Sequence, residues 1–359
     1  MKEFIANGDL SITPKKIDLS DMTDDIVKYS NYYIGSRLIK ERLSQFYQQD
    51  ADCFFINYGI DLIIYHLLIT SNYKKIVCFY PSYPFSEYYA LLAKYQVIRC
   101  NLDNDGNYPQ LIPAPIVSEK PEIVMITNPT NPGGKPINYK TVISYLEQLP
   151  KSLFIIDEAY IDFCNEYSFI NDGFVAKNKN VIILRSFSKG YGLPGIRVGY
   201  AFSSNCDLIR KLSSTFFFMS SFSLKGALWC LDHQDYLNET IAYNVEIKKI
   251  MLNHLINYNI FTIIPTSVNF ILTKIDSKID LINFQNLCTS NGLIFWWFNE
   301  TDFFKQYFGF PIIHESLKNC FRISCIDERE MNEFFFLLSK IIFTIHPSGM
   351  ANYIRLSQL

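Results

Sequence analysis

The sequence of 359 residues lacks several features that would each point to a class of protein. Basic residues are not in excess: the formal net charge is −2, which argues against a nucleic-acid partner. The nine cysteines form no Cys-x-x-Cys pair and no cluster with histidine. We therefore expect buried, reduced thiols, with neither a metal site nor a disulfide framework.

Long apolar runs are also missing. The N-terminal residues offer no segment of the length that a signal peptide needs. The most hydrophobic late stretch, residues 334–343, is too short to span a membrane and contains Lys340, which favours a core helix. We therefore expect a soluble, cytoplasmic protein with no membrane partner.

The middle of the chain contains an alternation of short apolar runs and helical patterns. The apolar runs cover residues 75–79, 122–127, 153–156 and 181–184. Continuous apolar runs are typical of strands buried on both faces. The pattern predicts an α/β fold: a large domain with a mostly parallel, doubly wound sheet, and a smaller α+β domain. We place the large domain at residues 46–244, and the smaller one at residues 245–359 together with the N-terminal segment, residues 1–45.

Each of the four apolar runs leads into a turn rich in polar residues or glycine. These turns lie at residues 80–83, 128–134, 157–160 and 186–189. In open α/β sheets the ligand crevice lies outside the carboxyl ends of the strands. We therefore expect the four turns to converge on one site.

The last of these turns holds Lys189 between hydroxyl-bearing residues, with Arg197 on the next glycine-flanked segment. An enzyme that binds pyridoxal phosphate needs such a set, because the amine forms a Schiff base with the aldehyde while Ser186, Ser188 and the guanidinium hold the phosphate. A solvated loop lysine is the alternative.

Asp157 and Tyr160 follow the third apolar run. A partly desolvated Asp157 carboxylate would seek a cation, and a pyridinium nitrogen is one; keeping that nitrogen protonated makes the ring an electron sink. Tyr160 could reach the ring's phenolate oxygen. The alternatives are a turn or helix-capping aspartate and an ordinary core tyrosine.

Three further positions offer contacts to the same cofactor or its substrate. Asn131, between two prolines, could donate to the phenolate oxygen, unless the segment is a plain turn. Tyr83 could lay its ring against the cofactor, or pack as an ordinary aromatic side chain. Arg322, in a strand-like segment, could bind a carboxylate or phosphate bidentately, or form a surface salt bridge.

A glycine-containing turn precedes the apolar helical pattern at residues 62–69. A helix N-terminus presents free N–H groups to a phosphate, so the backbone of Gly59, Ile60 and Asp61 is a candidate phosphate site. Asp61 is alternatively only a first-turn acid.

Taken together, these motifs resemble the fold-type I pyridoxal-phosphate enzymes. Within that group the chain resembles the class I/II aminotransferases, and most of all the branch of histidinol-phosphate aminotransferase and threonine-phosphate decarboxylase. The resemblance covers roughly residues 55–325. The motifs that carry it are Asn131-Pro132, residues 157–163, residues 186–189 and residues 195–199.

The resemblance implies the roles described above for the individual residues. Lys189 is the Schiff-base lysine, Asp157 contacts the pyridine nitrogen, and Arg322 binds the acidic group of the substrate. The resemblance also implies a homodimer in which Tyr32 or Tyr33 reaches the partner's site. The Asn-x-Asn-Pro segment of this branch is not visible; residues 18–24 stand in its place.

The leading hypothesis is transamination between an amino acid, or a phosphorylated amine, and a 2-oxo acid. A decarboxylase of an O-phospho-amino acid is the alternative on the same scaffold. A non-catalytic domain that senses the cofactor is a third hypothesis.

Overall fold

The structure is a computed structural model, and it describes residues 4–5, 13, 31–170, 173–214, 218–298 and 315–346. The strands of this part are β1 (Phe4–Ile5), β2 (Phe54–Asn57), β3 (Lys75–Tyr80), β4 (Gln96–Asn101), β5 (Ile123–Thr127), β6 (Leu153–Asp157), β7 (Val181–Ser186), β8 (Gly199–Phe202), β9 (Phe261–Ile264), β10 (Phe270–Ile275), β11 (Leu293–Ile294), β12 (Trp296–Trp297) and β13 (Cys320–Ser324).

An α-helix lies between each two successive strands from β2 to β7. The α-helices of the described residues are α1 (Asn31–Tyr47), α2 (Gly59–Thr70), α3 (Pro84–Leu92), α4 (Ala114–Ser118), α5 (Tyr139–Gln148), α6 (Phe174–Lys177), α7 (Cys206–Ser213), α8 (Ser221–Asp232), α9 (Gln234–Leu255), α10 (Leu281–Ser290) and α11 (Glu328–Ile345). Among these helices none is long and apolar enough to cross a membrane.

The larger sheet has seven strands in the order β2-β8-β7-β6-β5-β3-β4. All neighbours are parallel except those of β8, which runs antiparallel to both β2 and β7. The four apolar runs of the sequence are β3, β5, β6 and β7. The predicted α/β fold with a mostly parallel sheet is therefore confirmed.

Both faces of this sheet are buried. In β5, Val124 and Ile126 pack in one hydrophobic cluster, while Ile123 and Met125 pack in another on the opposite face. Side chains alternate between the faces of a strand, so a strand covered by helices on both sides needs apolar residues at every position. Burial on both faces of the sheet therefore explains the continuous apolar runs in the sequence.

A second sheet is antiparallel, with the order β12-β13-β10-β9. Its core includes the buried side chains of α11, where residues 334–343 form part of a core helix as predicted. β1 pairs in parallel with β11 of this region. Along α9, Tyr236 packs in the core of the larger sheet, and Met251 and Leu255 pack in the core of the smaller one. The helix thus contacts both cores.

Candidate active site

A cavity of about 250 Å³ lies at the carboxyl ends of the central strands. Thr127, Asp157 and Ser186, the last residues of β5, β6 and β7, all line it. The remaining lining residues are Gly59, Ile60, Asp61, Tyr83, Pro129, Asn131, Ala159, Tyr160, Ser188, Lys189, Pro194 and Arg197. The turns predicted to converge therefore do so, because parallel strands end at one edge of the sheet.

Asp157, which lines this cavity, is a buried carboxylate, 3% exposed. Its Oδ1 accepts a hydrogen bond from the backbone N–H of Ala159 at 2.9 Å. Desolvation raises the pKa of Asp157 to about 7, against the smaller opposing effects of that hydrogen bond and of Lys189. A cation placed beside this carboxylate would favour its ionised form.

Lys189 enters the cavity from the turn after β7. Its Nζ lies 5.0 Å from the centre of the Tyr160 ring. Tyr160 is buried and packs edge-on against Phe270 of the smaller sheet, with ring centres 5.6 Å apart. Before Lys189, the Ser186 Oγ accepts a hydrogen bond from the Ser188 backbone N–H at 3.0 Å. Amine, hydroxyls and carboxylate therefore share one small space.

The start of α2 and Arg197 also line the cavity. Gly59 begins the helix with a φ of +71°, and a Cβ there would lie 2.8 Å from the Arg197 Nη2. This positive φ favours glycine, which has no Cβ. Asp61 pairs with Arg197 at 3.7 Å and accepts a hydrogen bond from the Tyr83 hydroxyl at 2.9 Å. A guanidinium beside a helix N-terminus suits a phosphate group.

Arg322 lies outside the cavity lining but contacts it through one residue. Its Nη1 donates to the Asn131 Oδ1 at 2.9 Å, across 191 residues of sequence. The alternative of a surface salt bridge is wrong, because Arg322 is fully buried.

A buried ionic group behind the cavity was missed from the sequence. Arg185 is paired with Glu158 at 3.2 Å and with Asp162 at 3.4 Å. Arg185 precedes Ser186, and successive residues of a strand face opposite sides of the sheet. The one signal in the sequence was an arginine inside an otherwise apolar strand. In a sheet covered on both faces such an arginine is buried, and a buried guanidinium needs acidic partners.

All predicted site residues except Arg322 and the two N-terminal tyrosines line the cavity. Tyr32 and Tyr33 lie in the first turn of α1, and their side chains are outside what the structure describes, as are residues 18–24. The lining residues that the sequence analysis missed are Thr127, Pro129, Ala159 and Pro194. They are apolar or weakly polar, so nothing in their chemistry marked them.

The residue set fits pyridoxal phosphate. The cavity holds a primary amine, a buried carboxylate whose pKa is raised by desolvation, and hydroxyls with a guanidinium at a helix N-terminus. These are the groups that an aldehyde, a ring nitrogen and a phosphate require.

Comparison with known proteins agrees with this fit. The family model described as "Aminotransferase class I and II" matches residues 15–335. The chain belongs to this family. It is a pyridoxal-phosphate-dependent aminotransferase, so the predicted family, enzyme class and cofactor are confirmed.

Individual relatives are distant. The chain is 28% identical over 266 residues to a histidinol-phosphate aminotransferase of Caldanaerobacter subterraneus, covering 72% of this chain and 74% of the relative. A histidinol-phosphate aminotransferase from Sinorhizobium meliloti, solved in complex with pyridoxal-5'-phosphate, superposes with a TM-score of 0.77 at 20% identity, covering 91% and 86% of the two chains. An L-threonine-O-3-phosphate decarboxylase from Porphyromonas gingivalis gives 0.69 at 15% identity, covering 92% and 99%. The two structural matches show the fold alone.

Proposed function

We propose that the cavity is the active site and that Lys189, Asp157 and Arg197 are its central residues. The supporting observation is the convergence in one cavity of an amine, a buried carboxylate and a guanidinium from three separate turns. When bound, pyridoxal phosphate supplies a conjugated ring that accepts the electron pair released at the substrate's Cα.

In this proposal the Lys189 Nζ would hold the cofactor until the amino group of the substrate displaces it, and the freed Nζ would then accept the proton of the substrate's Cα. A positioned base of this kind contributes about 10²- to 10⁴-fold to the rate. The centre of the Tyr160 ring lies 5.0 Å from the Nζ. The negative charge of Asp157 would keep the ring nitrogen of the cofactor protonated.

Contacts to the rest of the cofactor follow from the walls of the cavity. Asn131 and Tyr160 would bind the phenolate oxygen, and Tyr83 would cover the ring. Ser186, Ser188 and Arg197 would hold the phosphate with the backbone of Gly59, Ile60 and Asp61. Arg322, behind Asn131, would bind the acidic group of the substrate.

We further propose a cytoplasmic homodimer in which Tyr32 or Tyr33 reaches the site of the partner, with residues 46–244 as the large domain and the remaining residues in the smaller one. The division into domains is supported by α9, which contacts both cores around the proposed boundary, and by the pairing of β1 with β11 in the smaller region. Ile39 and Leu43 of α1 pack instead in the core of the larger sheet. Analytical ultracentrifugation tests the dimer. A monomeric holoenzyme with full activity would contradict it.

The assignment of Lys189 is tested by substituting it with alanine. Lys189→Ala should lose both the visible absorbance of the bound cofactor and the transfer of an amino group to a 2-oxo acid. Lys179→Ala, at an exposed position, is the matched control and should change neither. An unchanged absorbance spectrum in Lys189→Ala would refute the assignment.

Decarboxylation is distinguished in the same assay. An aminotransferase produces a new amino acid from the 2-oxo acid without gas release, whereas a decarboxylase acting on an O-phospho-amino acid releases carbon dioxide. Stoichiometric carbon dioxide without any new amino acid would reject the proposed reaction.

A further inference from the structure

Two thiols lie next to each other at the edge of the larger sheet. The Sγ atoms of Cys53 and Cys206 are 3.5 Å apart, although 153 residues separate them in the chain. All nine cysteines lie in the described part of the chain; Cys206 is half-buried and the other eight are buried. The cysteine with the greatest access to solvent therefore has a second thiol within contact distance.

The pairing of β2 with β8 brings the two cysteines together. Cys53 directly precedes β2, and Phe54 is paired with Phe202 in antiparallel register. The backbone N–H of Ser203 donates to the carbonyl of Cys53 at 3.1 Å, and α7 begins three residues later, at Cys206. The Sγ atoms of a disulfide are about 2.05 Å apart, so these two would have to approach by a further ~1.5 Å.

The two thiols differ in reactivity. Burial raises the pKa of the Cys53 thiol to about 12, and the neighbouring Cys206 adds to this effect. The carboxylates of Asp50 and Asp52 act in the same direction. Cys53 therefore stays protonated at neutral pH and, being buried, is shielded from an oxidant in solution. An oxidant is expected to react first at Cys206, which solvent reaches.

We propose that Cys206 is a site of modification by a hydroperoxide, and that Cys53 converts the product into an intramolecular disulfide. In the first step the Cys206 sulfur takes one oxygen atom from the peroxide and becomes a sulfenic acid, while the peroxide leaves as water or an alcohol. In the second step the Cys53 sulfur bonds to the Cys206 sulfur, and the Cys53 proton leaves with the hydroxyl group as water. The two sulfurs together lose two electrons, which the peroxide accepts.

The position of Cys53 decides how far the oxidation goes. A sulfenic acid without a nearby thiol is oxidised further to a sulfinic acid, which small thiols do not reverse. A thiol held at contact distance reacts faster than one in solution, which offsets the raised pKa of Cys53. The pair therefore keeps the exposed thiol in a form that a thiol reductant can restore.

The disulfide would join two segments that both pack on α2. Phe55 of β2 and Ile209 of α7 lie in one hydrophobic cluster with Ile63 of α2. All seven strands of the larger sheet lie between the two cysteines in the chain. A cross-link that closes so long a loop mainly restricts the unfolded chain, so we expect it to stabilise the protein. This inference does not depend on the function proposed for the cavity.

Mass spectrometry of the holoenzyme after treatment with hydrogen peroxide tests the pair. We expect a cross-linked peptide that contains Cys53 and Cys206, and a loss of two of the nine thiols that react with iodoacetamide after unfolding. Dithiothreitol should restore both thiols. Cys288→Ala, in the core of the smaller sheet, is the control and should form the same cross-link. Oxidation of Cys206 without this cross-link, or earlier oxidation of the buried cysteines, would overturn the proposal.

Substitution separates the roles of the two thiols. In Cys53→Ser, peroxide should carry Cys206 on to a sulfinic acid that dithiothreitol does not reverse. In Cys206→Ser, the buried Cys53 should stay reduced over the same time. Neither cysteine lines the cavity, so both reduced variants should retain amino transfer, which also shows that they are folded. Cys53→Ala serves as the second variant should Cys53→Ser fail to fold. Oxidation of Cys53 at its native rate in Cys206→Ser would reject Cys206 as the first thiol to react.

Thermal unfolding measures the effect of the cross-link on stability. The midpoint temperature of the oxidised protein should lie a few degrees above that of the reduced protein. The same treatment should produce no such rise in Cys206→Ser. A midpoint for the cross-linked protein that is equal to or below that of the reduced protein would contradict the expected stabilisation.

Discussion

The backbone N–H of Gly190 donates a hydrogen bond to the carboxylate of Asp162, so the residue after Lys189 is anchored to the segment that follows β6. Arg185 neutralises Asp162 and also pairs with Glu158, the neighbour of Asp157. One buried ionic group thus contacts the residues next to both Lys189 and Asp157, and it lies behind the sheet edge where the site is formed.

Gly190→Ala tests whether this anchoring matters for the position of Lys189. A Cβ at Gly190 would contact the Asp162 carboxylate and lie 2.6 Å from its Cβ, so the turn would have to shift. A misplaced catalytic group costs on the order of 10²-fold, and we expect a loss of turnover of about that size, measured by steady-state kinetics. Gly195→Ala, where a Cβ meets nothing within 4 Å, is the matched control and should retain activity.

Arg185→Met should destabilise the protein strongly. It leaves Glu158 and Asp162 as buried carboxylates without their cation, and breaking such a group costs about 3–5 kcal/mol. Denaturant unfolding measures the loss, with Arg210→Met as the exposed control. Adding Asp162→Asn to Arg185→Met should recover part of the stability. A double variant no more stable than Arg185→Met would contradict the ionic explanation.

The free energy of unfolding of the cofactor-free protein should depend on pH through the titration of Asp157. Burial raises its pKa to about 7, so the folded protein binds an extra proton between about pH 4 and pH 7, and stability falls as the pH rises through this window. The midpoint temperature of thermal unfolding of the cofactor-free protein should therefore fall between about pH 5.5 and about pH 7.5. This fall should be larger than the fall measured for Asp157→Asn over the same interval.

Adding the cofactor should reduce that drop, because a cationic ring nitrogen favours the ionised carboxylate. Glu158 and Asp162 also have raised pKa values through burial, so only the difference between the native protein and Asp157→Asn reports on Asp157. Identical pH profiles for the two proteins would show that Asp157 does not titrate in this range.

Tyr83→Phe should weaken the affinity for pyridoxal phosphate by a few fold. The change keeps the ring but removes the hydroxyl that donates to Asp61, the residue that pairs with Arg197. One hydrogen bond to a charged group is worth about 1.5–3 kcal/mol, of which part is recovered by water at this half-buried position. Equilibrium dialysis measures the dissociation constant, with the exposed Tyr139→Phe as control.

Much of the fold was predictable from the sequence. The strands β3, β5, β6 and β7 are buried on both faces, so each of them appears in the sequence as a continuous apolar run. The strands β2 and β8, which pair antiparallel at the edge, were not predicted. Both strands are short. Their own residues do not indicate the strand with which each of them pairs, because the pairing depends on residues far away in the chain.

For the proposed active site, the sequence by itself determined which groups follow the central strands: an amide after β5, a carboxylate at the end of β6, an amine after β7. Their convergence follows from chain order, since parallel strands end at one edge. Only the tertiary structure decided that Arg322 contacts Asn131 and that Trp296 covers its guanidinium. Such contacts join distant segments through packing, and no local spacing encodes them.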